Sequence, residues 1–176
     1  MPRRLLRNAE IVADEWRYVA EAARDSASPL IVTLAQWQLE PDTWLARGTP
    51  LGLVLSPVHR VEQIAADLEH FTLIAAEFSG PGEGRGYTQA RQLREQREFK
   101  GELRATGYVR RDQLFFMARC GFNSFELPDT DIEDAFTAFS TFTAAYQPSN
   151  DLGLAHKLRN TVAVSASATT ERRAAE

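Results

Sequence analysis

Short apolar runs alternate with stretches of helical character along most of the chain. The apolar runs are rich in Val, Ile and Leu and are bounded by Gly or Pro, which predicts β-strands at 30–34, 51–57, 72–78, 101–107 and 124–128. The intervening stretches predict helices at 61–71, 87–98, 109–120 and 129–147. Thr88 is the predicted N-cap of the second helix, and Gly121 is expected to end the third.

This alternation predicts an α/β fold built from repeated strand-helix units. Helical connections of this length join parallel strands, and the crossovers should be right-handed. Two ways of closing the sheet are open, a doubly wound open sheet or a partial, half-like β/α barrel. The partial barrel is favoured because several strands carry charge on one face. The N-terminal segment 9–22 has a mixed pattern that fits a strand, a hairpin or a helix.

The pattern also divides the chain into a domain and a tail. Residues 1–148 are predicted to form a single α/β domain, whose size is sufficient for a real hydrophobic core. Residues 149–176 lose the periodic pattern and end in small and charged residues. We therefore expect 149–176 to be a disordered C-terminal tail.

Composition narrows the class of protein. Apolar residues make up 44% of the chain and charged residues 25%, which is typical of a soluble globular protein. The formal net charge of −4 gives no indication of nucleic-acid binding. The sequence has neither an apolar run of about 20 residues nor a signal-peptide pattern, so no membrane partner and a cytoplasmic location are expected.

Cysteine and histidine give no prediction of a metal site. Cys120 is the single cysteine, so the chain has no internal disulfide. We expect Cys120 to be a small core residue rather than a nucleophile, although the sequence leaves its role open. The histidines are scattered, at positions 59, 70 and 156, without the spacing of metal ligands.

A glycine-rich loop offers the first candidate chemistry. Glycines at 80, 82, 84 and 86 lie between a predicted strand and a predicted helix. Their spacing matches neither the dinucleotide nor the P-loop fingerprint. Because the loop precedes a helix, Gly84, Arg85 and Gly86 are predicted to bind an anion, with a purely structural loop as the alternative.

Two other loops follow predicted strands, where ligands gather in parallel α/β folds. They cover 106–110 and 128–131. Arg110 and Arg111 stand at a helix start, where cations are unfavourable, so they are predicted to bind the anion or to pair with another element. The alternative is a solvated first helical turn.

A second candidate site comes from charges that share strand faces. Glu102, Arg104 and Thr106 alternate onto one side of their strand, as do Ser124 and Glu126 on theirs. We expect Arg104 to lie between Glu77, Glu102 and Glu126 inside a barrel, where charges must be paired. Catalytic roles are predicted for Arg104, Glu102 and Glu126, the glutamates as acid or base. The alternative is that these side chains reach water at strand ends.

One segment, 84–127, resembles the bacterial DUF934 family. The resemblance is carried by GRGY–QAR–LRE, then GELRA–G, then RDQLFFM–RCGF. Family members are commonly labelled as oxidoreductases involved in sulfite reduction, because their genes adjoin those of assimilatory sulfite reductase. The resemblance therefore implies a role in sulfur assimilation.

Three functions follow as hypotheses. The leading one is an accessory protein or oxidoreductase of assimilatory sulfite reduction, which binds an oxyanion or sulfite reductase itself. The others are a small enzyme acting on an anionic or phosphorylated metabolite, and a non-catalytic homo-oligomeric scaffold that covers open sheet edges. The sequence has no CxxC, iron–sulfur or dinucleotide motif, so it identifies no cofactor.

Overall fold

The computed structural model of the protein describes residues 4–8, 10–20, 27–132 and 135. The predicted tail 149–176 and most of the predicted helix 129–147 lie outside the described residues. Of that helix, the described part is α5, Asp129–Ile132.

Eight strands and five α-helices make up the described fold. The strands are β1 (Arg4–Arg7), β2 (Glu10–Ala13), β3 (Arg17–Tyr18), β4 (Leu30–Thr33), β5 (Leu51–Leu55), β6 (Leu73–Phe78), β7 (Glu102–Gly107) and β8 (Ser124–Phe125). The helices are α1 (Leu34–Leu39), α2 (Pro41–Leu45), α3 (Arg85–Arg91), α4 (Leu114–Cys120) and α5. The five predicted strands correspond to β4 to β8.

The strands form one mixed sheet in the order β2-β1-β8-β7-β6-β5-β4-β3. Strands β3 to β8 are parallel, as the strand-helix alternation predicts. The prediction of a wholly parallel sheet is wrong, because β1 pairs antiparallel with both β2 and β8. Arg7 pairs with Glu10, and so short a connection can join only antiparallel strands. The described part of the mixed N-terminal segment thus contains β2, the second strand of a hairpin, and the short strand β3.

The sheet is curled into a half-barrel, and the chain connectivity shows why. Strand β2 ends at Ala13 and β3 begins at Arg17, yet these strands occupy opposite edges of the eight-stranded sheet. The connection can span at most about 14 Å. In a flat sheet the same edges would lie about 34 Å apart. The two edges therefore approach each other, and residues 14–16 cross the concave face between them.

The two faces of the curled sheet are packed differently. The convex face and the helices share the main apolar core, which includes Trp44, Leu53, Ile74, Phe78 and Phe122. The concave face holds a smaller apolar cluster together with charged and polar side chains. This concave cluster consists of Trp16, Ile31, Leu73 and Ala75, with Tyr18 and Val54 packed against it.

The segment 61–71 departs from its helix prediction. It forms two 3-10 turns, Val61–Ile64 and Leu68–His70, although Val61, Ile64 and Phe71 are buried as the pattern requires. Between the turns, the indole of Trp37 donates a hydrogen bond of 2.9 Å to Asp67 Oδ2. This contact ties the chain to α1 at the break.

The helix after the glycine loop begins two residues before the predicted start at 87. Gly84 is its N-cap in place of Thr88, and a π-helical turn, Gln92–Gln96, extends it. The Glu83 carboxylate accepts a 2.9 Å hydrogen bond from the backbone N–H of Arg85, which supports the earlier start. At the other helix, Gly121 has φ = 110° and ends α4 as predicted.

Candidate functional site

A charged cluster centred on Arg104 lies on the concave face of the sheet. The Arg104 side chain is fully buried. Its Nε and Nη2 donate to Glu102 Oε1 at 3.0 and 2.8 Å. Its Nη1 donates to Asp14 Oδ2 at 3.0 Å and to Glu126 Oε1 at 3.1 Å, and Nη2 also reaches Asp14 Oδ1 at 3.1 Å. We call Arg104, Asp14, Glu102 and Glu126 the Arg104 cluster.

Within the Arg104 cluster, the carboxylates stabilise the charge of the guanidinium and accept all of its hydrogen bonds. Burial opposes the charge on Arg104, but the carboxylates of Glu102, Asp14 and Glu126 outweigh it and raise the pKa of the guanidinium above its usual range. A guanidinium has five N–H groups, and these contacts use all of them. Arg104 therefore organises its neighbours and has no N–H left for a ligand.

Tyr18 joins this cluster from the far edge of the sheet. Its hydroxyl donates to Glu126 Oε1 at 2.9 Å and lies 3.2 Å from Thr106 Oγ1. Thr106 donates to the other oxygen, Glu126 Oε2, at 2.7 Å. Burial, reinforced by the charge of Glu126, raises the pKa of the Tyr18 hydroxyl above its usual range. The hydroxyl therefore remains a donor, and both Glu126 oxygens are engaged.

The structure brings Glu102, Arg104 and Glu126 together but places Glu77 elsewhere. In the sheet register, Arg104 lies opposite Ala75, whereas Glu77 lies opposite Thr106, one inward-facing position further along. The third carboxylate on Arg104 is Asp14, which the sequence analysis missed. The N-terminal pattern gave no indication that this segment crosses the concave face.

A separate cleft opens at the carboxyl ends of β5 and β6, on the side of the sheet covered by α3. Its volume is about 690 Å³. Its position follows the rule that ligands gather where neighbouring parallel strands end. The residues of the Arg104 cluster do not line it. We call it the arginine cleft, and it is lined by Pro57, Val58, His59, Arg60, Glu62, Arg85, Thr88, Gln89 and Gln92.

Hydrogen-bond donors from two strand-end loops face the arginine cleft. Arg60 follows β5 and Arg85 begins α3 after β6. Both are exposed, and within the described part of the chain neither guanidinium has an ion-pair partner. His59 Nδ1 accepts the backbone N–H of Ser56 at 3.1 Å, which leaves the proton of a neutral imidazole on Nε2. One carboxylate, that of Glu62, also lines the cleft.

Gln89 fixes the wall of the cleft from α3. The residue is 3% exposed, and its side-chain NH₂ group donates to the carbonyls of Ser56 and His59 at 3.0 and 2.9 Å. These two bonds determine which end of the amide is oxygen. That oxygen, Oε1, is buried and has no hydrogen-bond partner in the structure. An unpaired buried acceptor is uncommon and calls for an explanation.

The predicted anion-binding residues separate into two groups. Arg85 lines the arginine cleft, and Gly84 and Gly86 flank it in sequence. Gly86 has a packing role, since a Cβ there would lie 2.6 Å from the Phe78 ring. Arg110 and Arg111 follow β7 instead and do not line the cleft; the backbone N–H of Arg110 donates to Gln113 Oε1 at 3.1 Å.

The sequence did not identify His59, Arg60 or Gln89 as residues of a site. The motif SPVHR follows β5 directly, so the rule that selected the loops after the other strands would also have selected this one. Gln89 carried no such signal, because its role depends on the loop it contacts across space.

A metal site and a reactive cysteine each set requirements for the described residues. No group of three His, Cys, Asp or Glu side chains is arranged there to hold a metal ion. Cys120 is buried at the end of α4, and this burial raises the pKa of its thiol. Every helix in the described ranges is too short or too polar to cross a lipid bilayer.

These features define a half-barrel α/β protein with a buried charge cluster on one face and a cationic cleft on the other. The family model described as "Bacterial protein of unknown function (DUF934)" matches residues 52–155, which is more than half of the chain. The chain belongs to this family, as the motifs in 84–127 predict. The match includes the arginine cleft and strands β6 to β8. No curated protein matches the sequence significantly.

Proposed function

We propose that the protein is an accessory protein of assimilatory sulfite reduction that binds a small oxyanion in the arginine cleft. The observation that carries this proposal is that Arg60 and Arg85 both line the cleft at adjacent strand ends. Within the described residues, neither guanidinium has an ion-pair partner. Exposed guanidinium groups in a concave site suit oxyanions, because their planar N–H groups bind two oxygens at once. The Nε2–H of His59 adds a third donor.

The proposed role in sulfite reduction is based on the family. Members of DUF934 are labelled as oxidoreductases involved in sulfite reduction, and sulfite is a small oxyanion that two arginines can bind. The cleft is larger than sulfite, so the anion would occupy only part of it. The remaining space suits a bound partner, and sulfite reductase is the partner we propose.

An accessory role agrees better with the geometry than an independent enzyme does. Arg104 and Glu126 already have their polar atoms engaged, and neither residue lines the arginine cleft. An acid or base must lie within hydrogen-bond reach of the group on which it acts. The proposed anion and the predicted acid and base therefore do not share a site.

Calorimetric titration of sulfite into the purified protein tests the anion site. We expect Arg85→Gln to weaken binding about tenfold or more, because it removes a charge-assisted contact. Arg91→Gln is the matched control, since Arg91 lies on the same helix, is exposed and pairs with Glu95 at 3.1 Å outside the cleft. Equal sulfite binding by the wild type and Arg85→Gln would contradict this site.

Growth of a deletion strain tests the pathway. The proposal predicts poor growth on sulfate and on sulfite, rescued by sulfide or cysteine. A plasmid carrying the wild type or Arg91→Gln should restore growth on sulfate, whereas Arg85→Gln should not. Normal growth of the deletion strain on sulfate as the single sulfur source would contradict the link to sulfite reduction. The anion site would then be judged by the sulfite titration alone.

A further inference from the structure

The unpaired oxygen of Gln89 bears on which oxyanions the cleft accepts. We infer that the arginine cleft selects oxyanions that carry a proton over fully deprotonated ones, with Gln89 Oε1 accepting the hydrogen bond from the ligand. This inference rests on the proposed function, because it concerns the same cleft. It adds a specificity-determining residue that the arginines alone do not supply.

The arginines of the cleft and Gln89 have different roles: the arginines attract anions, and Gln89 distinguishes among them. Arg60 and Arg85 attract any small anion, protonated or not. Gln89 Oε1 is a buried acceptor whose orientation is fixed, because the NH₂ group of the same amide is committed to Ser56 O and His59 O. Against a bare oxyanion this oxygen would face a second acceptor and would stay unpaired. Against a protonated oxyanion it would gain a donor.

Reaching this oxygen requires a local adjustment. Gln89 Oε1 is covered by its neighbours in the structure, so a ligand contacts it only by displacing part of the cleft wall. Thr88 and Gln92 line the cleft beside Gln89. The movement gives Gln89 Oε1 a hydrogen-bond donor, and a buried acceptor without a donor is unfavourable.

Hydrogenphosphate and sulfate form a matched pair of probes at pH 8. They are similar in size and both are dianions, but hydrogenphosphate keeps one O–H and sulfate has none. Methyl phosphate is a third probe, because its dianion has the phosphate charge without the O–H. It also separates free oxyanions from phosphate esters. By the same argument, hydrogensulfite, which retains a proton near neutral pH, would be distinguished from sulfate.

The experiment is a calorimetric titration of the full-length protein with each probe at pH 8. We expect hydrogenphosphate to bind about tenfold more tightly than sulfate or methyl phosphate, the discrimination that one buried acceptor supplies. Arg85→Gln should weaken all three, and Arg91→Gln should weaken none. The comparison uses one folded protein, so it does not depend on a Gln89 variant that would also lose the contacts to Ser56 and His59.

The possible failures are distinguishable. Sulfate binding as tightly as hydrogenphosphate, with both weakened in Arg85→Gln, would overturn the selection by Gln89 and leave the anion site intact. Methyl phosphate binding as tightly as hydrogenphosphate would also overturn it and would point to a phosphate ester. Absence of binding by sulfite and by all three probes would overturn the inference together with the proposed function.

Discussion

Replacing Arg104 with methionine should destabilise the protein strongly, because it leaves the carboxylates of the cluster without their counter-ion. The variant Arg104→Met keeps an unbranched side chain of similar length but removes five N–H donors. Asp14 suffers most, since its side chain is 1% exposed, compared with 12% for Glu102 and 14% for Glu126. Water can partly solvate the two glutamates but not Asp14.

The expected loss is about 3–5 kcal/mol in the free energy of unfolding, the usual cost of breaking a buried ion pair by removing one partner. This is a large fraction of the roughly 5–15 kcal/mol that stabilises a typical domain. The assay is urea unfolding followed by tryptophan fluorescence. Arg91→Met is the control, and because the Arg91–Glu95 pair is exposed, it should cost about 1 kcal/mol at most.

A double variant separates the ion pair from simple packing. Combining Asp14→Asn with Arg104→Met removes the buried charge that the single variant leaves unpaired. The double variant should therefore be less destabilised than the sum of the two single variants, by about 1 kcal/mol or more. Additive losses, or a loss in Arg104→Met as small as in Arg91→Met, would refute the assignment of Arg104 as the centre of the cluster.

Two further predictions concern the surroundings of the cleft. Gly86→Ala should lower the free energy of unfolding by about 1–3 kcal/mol, because its Cβ would lie 2.6 Å from the Phe78 ring. Gly84→Ala is the control, since a Cβ there meets nothing within 4 Å and should be tolerated. Thermal unfolding compares the two variants, and equal midpoints would contradict the packing role of Gly86. Cys120 should be alkylated by iodoacetamide at pH 8 at least about tenfold more slowly in the folded protein than in urea, because burial raises its pKa and blocks access; rapid reaction of the folded protein would contradict the burial.

The sequence predicted the parallel part of the sheet well, because buried parallel strands are continuous apolar runs. It left the N-terminal segment open between a strand, a hairpin and a helix. Segment 10–18 has too few buried side chains to show a clear period. Strand β2 in this segment is placed by β1, which pairs with β8 more than a hundred residues away. The curl of the sheet follows from the short connection between β2 and β3 at opposite edges, so its extent could not be deduced before the strand order was known.

The candidate sites were also predictable from the sequence only in part. The alternation of Glu102 and Arg104 onto one strand face was readable, and the structure confirms that these side chains meet. Asp14 was not readable, because it reaches Arg104 from a connection between the two sheet edges. In the cleft, Arg85 belonged to a conspicuous glycine loop, whereas Arg60 followed an ordinary strand end. Local sequence therefore indicates residues near their own strand, and the partners across space require the fold.

The most direct test of the account is the location of bound sulfite, measured by ¹H–¹⁵N NMR titration of the full-length protein near neutral pH. The account predicts saturable shifts of backbone amides in 58–62 and 85–92, with little change in 102–106 and 124–126. The shifts should weaken in Arg85→Gln and persist in Arg91→Gln. Saturable shifts centred on the Arg104 cluster, or no shifts around the arginine cleft at millimolar sulfite, would contradict the claim that the cleft is the oxyanion site.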